Sequence, residues 1–358
     1  ILQDRYQGQE LERVELTSIT LIDSMNRPQS TQEYDSPIKM TRLMIDDVDV
    51  LFSVDGWPAA FSIDWAQMIP QEYRDFRADV LKQFDLDGED LRKQTEQNSN
   101  FGNNMRDETA KQMLEVAFSH PIKLIANALG VPPSWMLEMG KDNNVLVAAL
   151  VGAKEHAIRQ VQAGVDILVV SGTEGGGHCG SVSTMVLVPE VARAIRPIKE
   201  IPILAAGGIA TGEQMAGIMA MGASGVWCAS VFLTTTEAET SPTVKEKMLQ
   251  ASSSQTVRSR SRTGKHSRQL RSAWTDAWES KDAPEPLPMP LQTMVGEPAL
   301  RIVDKAAEIG HEGAKQLATY WVGQGIGLVE DTITAGQTVQ KFKEEFINAY
   351  ENMQTLFE

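Results

Sequence analysis

The stretch ILVVSGTEGGGHCG, residues 167–180, contributes most to predicting how this chain folds. It starts with a short apolar run rich in Ile and Val, which is typical of a strand buried on both faces of a sheet. Three successive glycines, residues 175–177, follow and let the backbone approach a ligand closely. His178 stands directly after them, where an imidazole can act as an acid, a base or a hydrogen-bond donor near neutral pH.

Eight short apolar runs predict strands, and helix-like patterns separate the later ones. The runs lie near residues 1–3, 19–22, 49–54, 122–126, 145–150, 166–171, 202–206 and 225–228. Alternating strands and helices predict a parallel sheet, and eight repeats favour a closed (β/α)8 TIM barrel over an open sheet. We therefore predict an α/β protein with a barrel over residues 1–233, a smaller helical insertion at about 56–118, and a C-terminal helical subdomain over 234–358.

The composition is that of an ordinary globular protein of 358 residues with a formal net charge of −15. This charge disfavours general binding to nucleic acid or to anionic membranes, because the summed field repels phosphate. Two cysteines, Cys179 and Cys228, cannot form a disulfide framework, so we expect a reducing cytoplasm. The sequence shows neither a membrane-spanning apolar run nor a signal pattern. It also lacks the spaced ligands of a metal site.

Two further turns rich in small residues follow the strands that we count as seventh and eighth. One is AAGGIATG, residues 205–212, where Gly207 and Gly208 precede a helix, and the other is GVWCASVFL, residues 225–233. Unpaired amides and the dipole at a helix start attract phosphate, and barrels commonly bind phosphate at these two strand ends. We predict a phosphate site here, with two tight glycine turns as the alternative.

The same segments resemble the signature turns of the nitronate monooxygenase family, the 2-nitropropane dioxygenase-like flavoproteins. The resemblance rests on SGTEGGGHCG, AAGGIATG and GVWCASVFLT, and extends to HPIKLIANALGVPP and to the segment from residue 256 through PLPMPLQ. It covers about residues 118–295 with high specificity and weakens before residue 118. It implies a (β/α)8 barrel that binds FMN at the carboxyl ends of its strands and oxidises alkyl nitronates or nitroalkanes with O2.

The resemblance also implies which residues meet the flavin and the substrate. His178 corresponds to the catalytic base, and Gly176 lies where the family's backbone meets the flavin. Ser171 stands where the family commonly has a glutamine touching the flavin ring, and Asp55 stands where an asparagine or aspartate meets the cofactor. At residues 4–6, Asp-Arg-Tyr replaces the family's usual turn against the ring.

The phosphate contacts implied by the resemblance fall on two turns. Gly207 and Gly208 match the family's phosphate turn. Cys228, Ala229 and Ser230 match the contacts after the last strand, where the family usually has glycine followed by threonine or serine. Ala229 departs from that pattern, but alanine still offers its amide at a negative φ.

A basic cluster stands out in this acidic chain. Its members are Arg258, Arg260, Arg262, Lys265, Arg268 and Arg271. The cluster could draw an anionic substrate towards the site, but we favour a set of surface ion pairs, each of small value.

Three functions are compatible with this sequence. The first is FMN-dependent oxidation of a nitronate or nitroalkane, in which His178 takes the acidic proton from the carbon next to nitrogen. An NAD(P)H-dependent quinone or enoyl-thioester reductase on the same FMN barrel is the alternative among enzymes. A non-catalytic barrel that binds another phosphorylated ligand is the alternative of a different class. The sequence leaves open the physiological substrate and the oligomeric state, a homo-oligomer included.

Overall fold

The computed structural model describes residues 68–86, 110–128 and 130–356 with their side chains. It describes residues 12–22, 28–45, 48–53 and 107–109 by backbone alone. The chain forms two compact units, Ile1–Trp65 and Ala66–Glu358. Asp55 and the strand expected near residues 1–3 lie outside the described residues. The predicted boundary at residue 233 stays a prediction.

The described residues of the N-terminal unit form an antiparallel sheet. Its strands, in sheet order, are β1 (Glu12–Ile22), β2 (Pro28–Ile45) and β3 (Val48–Ser53). The prediction of parallel barrel strands near residues 19–22 and 49–54 is therefore wrong. The connections at 23–27 and 46–47 are too short for the crossover that parallel strands need. β2 fills the interval between the two predicted strands, and apolar runs alone do not reveal this.

The second unit is built on a parallel sheet. Its strands, in sheet order, are β4 (Leu124–Asn127), β5 (Leu146–Val151), β6 (Ile167–Ser171), β8 (Ile203–Ala206) and β9 (Gly225–Trp227). Strand β7 (Gly177–His178) follows β6 along the chain but joins another sheet. Ala148 pairs with Ile167, and Leu168 pairs with Ile203, which fixes the register on both sides of β6. The parallel sheet confirms the five strands predicted between residues 122 and 228.

Helices occupy the intervals before and between these strands. They are α1 (Gln71–Lys82), α2 (Asp107–Phe118), α3 (Ser134–Asp142), α4 (Lys154–Ala163), α5 (Thr184–Ile195) and α6 (Gly212–Ala220). In α4, Ala157 and Val161 lie one turn apart and are both buried. The helix ends at Gly164, whose φ of +96° lies in the left-handed region that glycine adopts without strain. Both α1 and α2 lie in the segment predicted as a helical insertion.

One hydrophobic core joins the sheet to its helices. Leu168 and Val170 of β6 belong to the same buried cluster as Leu187 and Val191 of α5. All four side chains are fully buried, and each such burial contributes about 1.5–3 kcal/mol. This packing anchors β6, whose following loop contains the successive glycines and His178.

The C-terminal part of the second unit is mainly helical. It contains α7 (Pro242–Gln250), β10 (Thr256–Ser259), β11 (Ser267–Leu270), α8 (Ala273–Trp278), α9 (Leu291–Glu308), α10 (Glu312–Leu317) and α11 (Ala335–Thr355). A second core gathers around Trp274, Leu300 and Leu317. Strand β11 lies between β10 and β7 in an antiparallel sheet, so this part of the chain pairs directly with the backbone of His178. None of the helices in the described ranges has the length and apolar character that crossing a membrane requires.

Candidate functional site

Two of the predicted turns are in direct contact at one edge of the parallel sheet. They follow β6 and β8, which are neighbours, and the carboxyl ends of parallel strands share an edge. A methyl carbon built at Gly207 would lie 3.0 Å from the amide nitrogen of Gly175. One built at Gly175 would lie 2.9 Å from Oγ of Ser171, the last residue of β6. Motifs far apart in sequence thus form one glycine-lined edge.

Gly207 and Gly208, in the turn after β8, both require glycine. Their φ angles of +97° and +76° lie in the left-handed region, which residues with a side chain rarely adopt. A methyl carbon at Gly208 would also lie 2.8 Å from Cβ of Glu174, which is too close. The turn therefore packs its bare backbone directly against the loop that follows β6.

The sequence predicts unpaired amides at the N-terminus of α6, directly after this turn, but the structure shows that side chains pair with these amides. Oε1 of Gln214 accepts hydrogen bonds from the amides of Ala210 and Thr211 at 2.8 and 3.2 Å. Oε2 of Glu345, in α11, accepts one from the amide of Gly212 at 2.7 Å. These amides are not available to an anion, so the anion-binding prediction narrows to the glycine turn. Glu345 lies 133 positions from Gly212 in the sequence, so the motif around Gly207 and Gly208 does not predict this contact.

A further segment, residues 322–325, lies against the glycine turns and was missed from the sequence. Methyl carbons built at Gly323 and Gly325 would lie 2.6 Å from the carbonyl oxygen of Glu174 and 2.7 Å from that of Gly208. The sequence VGQGIG contains this segment and carries the signal, because glycines at alternate positions allow such close backbone contact. The C-terminal part of the chain therefore forms one wall of the site.

The turn after β9 contains Cys228, Ala229 and Ser230. Ala229 has a φ of −127°, so alanine introduces no left-handed strain there. Oγ of Ser230 accepts a hydrogen bond from the amide of Gly323 at 2.8 Å, which joins this turn to the wall. Burial raises the pKa of the Cys228 thiol to about 11, so the thiol stays protonated at neutral pH.

His178 lies on β7, opposite Ser267 of β11. Its side chain keeps an exposed surface, and Nε2 lies 2.8 Å from Oγ1 of Thr263. The surrounding protein removes part of its hydration. This effect first, and then the positive charge of Lys265, lower the pKa of the imidazole below its ordinary 6.5. His178 is therefore mainly neutral at neutral pH and can accept a proton.

Glu174, beside the glycines, has a structural role. Its Oε2 accepts hydrogen bonds from the amide and the hydroxyl of Thr184, at 2.9 and 3.0 Å. Thr184 is the first residue of α5, so the carboxylate accepts from the first amide of this helix and lies at the positive end of its dipole. This contact holds the glycine-rich loop against α5 and leaves His178 as the candidate base of the loop.

Most side chains of the basic cluster form ion pairs or hydrogen bonds with other groups of the protein. The ion pairs are Arg260 with Glu285, Arg262 with Glu297, and Arg271 with Asp276. Arg268 is buried and donates to the carbonyl oxygens of Thr173 and Thr256. These contacts support the interpretation as ion pairs over the capture of an anionic substrate. Lys265 has an exposed side chain, and its charge acts on His178.

Known proteins resemble this chain over most of its length. A family model described as nitronate monooxygenase matches residues 75–345, which include His178 and all the glycine turns. A Mycobacterium tuberculosis protein, provisionally named a monooxygenase, is 48% identical over 291 residues, or 81% of this chain and 76% of that protein. A Bacillus subtilis (strain 168) protein, named a probable nitronate monooxygenase, is 26% identical over 245 residues, or 66% of this chain and 67% of that protein.

A solved structure shows the same fold. Nitroalkane oxidase from Streptomyces ansochromogenes matches with a TM-score of 0.64 and 22% identity, over 79% of this chain and 78% of that one. At this level of identity the likeness concerns the fold alone. Together with the family match, it confirms the (β/α)8 TIM-barrel class expected from the sequence. The described residues contribute β4, β5, β6, β8 and β9 to that barrel.

Proposed function

This chain belongs to the nitronate monooxygenase family, and on that basis we propose that it uses FMN to oxidise alkyl nitronates or nitroalkanes with O2. The family makes it an oxidoreductase of the monooxygenase type. A barrel fold alone hosts many reactions, so the substrate and the cofactor have to be argued from the site. The glycine-built turns support the cofactor, and His178 supports the reaction.

The turns after β8 and β9 fit the phosphate of FMN. Gly207 and Gly208 expose backbone at a place where a side chain would be strained. Ser230 adds a hydroxyl, and Ala229 has a conformation in which its amide costs no strain to present. We assign the phosphate to these four residues and to the backbone of Cys228. This assignment does not use the amides at the N-terminus of α6, which are paired with Gln214 and Glu345.

The flavin ring is assigned to the turn after β6. Gly176 is exposed and lies directly beside the wall, because a methyl carbon there would lie 2.8 Å from the carbonyl carbon of Val322. Ser171 lies at the start of the same loop and supplies a short hydroxyl near the ring. Asp55, outside the described residues, stays a predicted cofactor contact.

His178 is the proposed base. A nitroalkane carries an acidic proton on the carbon next to nitrogen, and a neutral imidazole within reach of that carbon can remove it. The lowered pKa of His178 supports this role, since it keeps the base unprotonated at neutral pH. The exposed ammonium of Lys265 would favour the resulting anion over the neutral substrate. Bound FMN would supply the electron acceptor for this chemistry.

The observation that carries the proposal is the position of His178, a neutral imidazole at the end of the loop that also contacts the phosphate turn. We expect the purified protein to show a flavin absorption spectrum and to consume O2 when a nitronate or nitroalkane is added. His178→Gln should lower turnover of the nitroalkane by about a hundredfold or more, the contribution typical of a general base. Undiminished turnover with FMN still bound would contradict the assignment.

Two further measurements on the purified protein distinguish the alternative functions. Bleaching of the flavin by NADH without oxygen would support a quinone or enoyl-thioester reductase. A colourless protein that takes up no FMN, yet is stabilised against heat by another phosphorylated ligand, would support a non-catalytic barrel.

We also place the reaction in the cytoplasm. Cys179 and Cys228 are both free and half-buried. Thiols without a disulfide are typical of proteins in reducing compartments, which supports this location.

A further inference from the structure

We propose that Thr263 is a positioning residue for His178, fixing which ring nitrogen carries the proton and which one faces the substrate. This inference rests on the proposed function, because it assigns a task to the same base. It starts from the 2.8 Å hydrogen bond between Nε2 of His178 and Oγ1 of Thr263. The two residues are 85 positions apart, so the sequence motif around His178 gives no sign of the contact.

The hydroxyl of Thr263 has one proton and two acceptor positions, and its surroundings use all three. Thr263 is only 4% exposed, so its polar atom has to find partners within the protein. The hydroxyl donates to the carbonyl oxygen of Lys265 at 3.3 Å, and the amide of Lys265 donates back to Oγ1 at 3.4 Å. The remaining acceptor position faces Nε2 of His178, so the ring donates from that nitrogen.

This arrangement decides which atom of His178 acts as the base. A neutral imidazole carries one proton, and a proton on Nε2 leaves a lone pair on Nδ1. In the part of the chain that the structure describes, Nδ1 has no hydrogen-bond partner. Nδ1 is then the atom that accepts the proton from the substrate carbon. In the opposite tautomer Thr263 would donate to Nε2, and the lone pair of Nδ1 would be replaced by an N–H.

The loop that contains Thr263 is held firmly enough to position a ring. The amide of Gly264 donates to the carbonyl of Arg260 at 2.9 Å, and Nε of Arg260 donates to the carbonyl of Gly264 at 2.8 Å. Arg262 donates twice to Glu297 of α9, at 2.5 and 3.2 Å. Such supporting contacts keep a functional side chain close to its productive geometry. The arginines of this loop therefore serve placement of the base.

The tautomer can be read directly by NMR of protein labelled with 15N-histidine, without substrate. Above the pKa of His178, the wild type should show a protonated Nε2 and an unprotonated Nδ1, with signals assigned by their absence in His178→Gln. Thr263→Val removes the hydroxyl with little change in shape and should produce a mixture of tautomers, whereas Thr263→Ser should keep the wild-type state. A wild type protonated at Nδ1, or an unchanged tautomer in Thr263→Val, would overturn the proposal.

Kinetics provide a second measurement. Thr263→Val should lower kcat/KM for a nitroalkane by about tenfold to hundredfold, the usual cost of removing an orienting partner, and Thr263→Ser should restore most of it. A wild type that shows the expected tautomer but oxidises no nitroalkane would refute the proposed function and leave the role of Thr263 intact. A wild type that oxidises the nitroalkane but carries its proton on Nδ1 of His178 would refute the role of Thr263 and leave the proposed function intact.

Discussion

At the scale of single residues, backbone conformation decides where glycine is required. Gly208 has a φ of +76°, and a side chain there would press on Glu174. Gly217 lies in α6, is exposed, and has open space where a methyl group would go. The two glycines therefore form a matched pair with opposite expectations.

Gly208→Ala should lower the free energy of unfolding by about 1–2 kcal/mol, because alanine is strained at a left-handed φ. Gly217→Ala should raise it by about 0.5–1 kcal/mol, because alanine loses less freedom than glycine in a helix. Urea denaturation of both variants measures the difference. A neutral result for Gly208→Ala would refute the conformation of this turn.

The residues that could be predicted from sequence are those with local signals. His178 and the successive glycines after β6 stand next to one another in the chain, so their proximity needs no fold to be recognised. Thr263 lacks such a signal, because its contact with His178 arises only when β11 pairs with β7.

At the scale of secondary-structure elements, α9 brings two carboxylates towards the Arg262 loop. Glu297 pairs with Arg262, and Asp304 lies further along the same helix. Burial raises the pKa of Asp304 to about 6, with smaller contributions from the charges of Glu297 and Glu308, while Arg262 opposes the shift. The pKa of Asp304 in the folded protein thus lies above its ordinary 3.8. The stabilisation that this shift gives is fully present below about pH 3.8 and is lost as the pH rises through about 6.

Asp304→Asn should therefore stabilise the protein at about pH 8, by about 1–2 kcal/mol, because asparagine avoids the buried charge. Near pH 4, where the carboxyl of the folded protein is already protonated, the two proteins should unfold with nearly equal free energies. Urea denaturation at both pH values tests this. A gain of the same size at each pH would show that the charge is not the cause.

The elements between residues 122 and 228 could be predicted because each strand is a compact apolar run followed by a helical pattern. The antiparallel sheet of β1, β2 and β3 could not, because strand direction depends on connections whose lengths the apolar runs do not define. Segment 322–325 was missed for another reason: it contains neither a strand nor a long helix, and only its spaced glycines mark it.

At the scale of the whole second unit, α11 packs over the start of α6. Gly212 has no room for a side chain, because a methyl carbon there would collide with the backbone of Phe342 and Phe346. At the same place Glu345 accepts the hydrogen bond from the amide of Gly212. Helix α11 thus caps the N-terminus of α6.

Glu345→Ala should lower the free energy of unfolding by about 1–2 kcal/mol, the usual cost of removing a helix-capping side chain. Glu344→Ala is the control, because Glu344 is exposed and its neighbouring contact is with Gln340 on the same helix. Its effect should stay within about 0.5 kcal/mol. Similar losses in the two variants, measured by urea denaturation, would argue against the capping role.

The wall formed by residues 322–325 has a consequence for biosynthesis. Translation proceeds from the N-terminus, so the turns that precede the wall leave the ribosome well before it does. A nascent polypeptide that ends at Ser230 still lacks the main-chain partner of the Ser230 hydroxyl, the amide of Gly323. We therefore expect the proposed FMN to be taken up only after residues 322–325 have been synthesised.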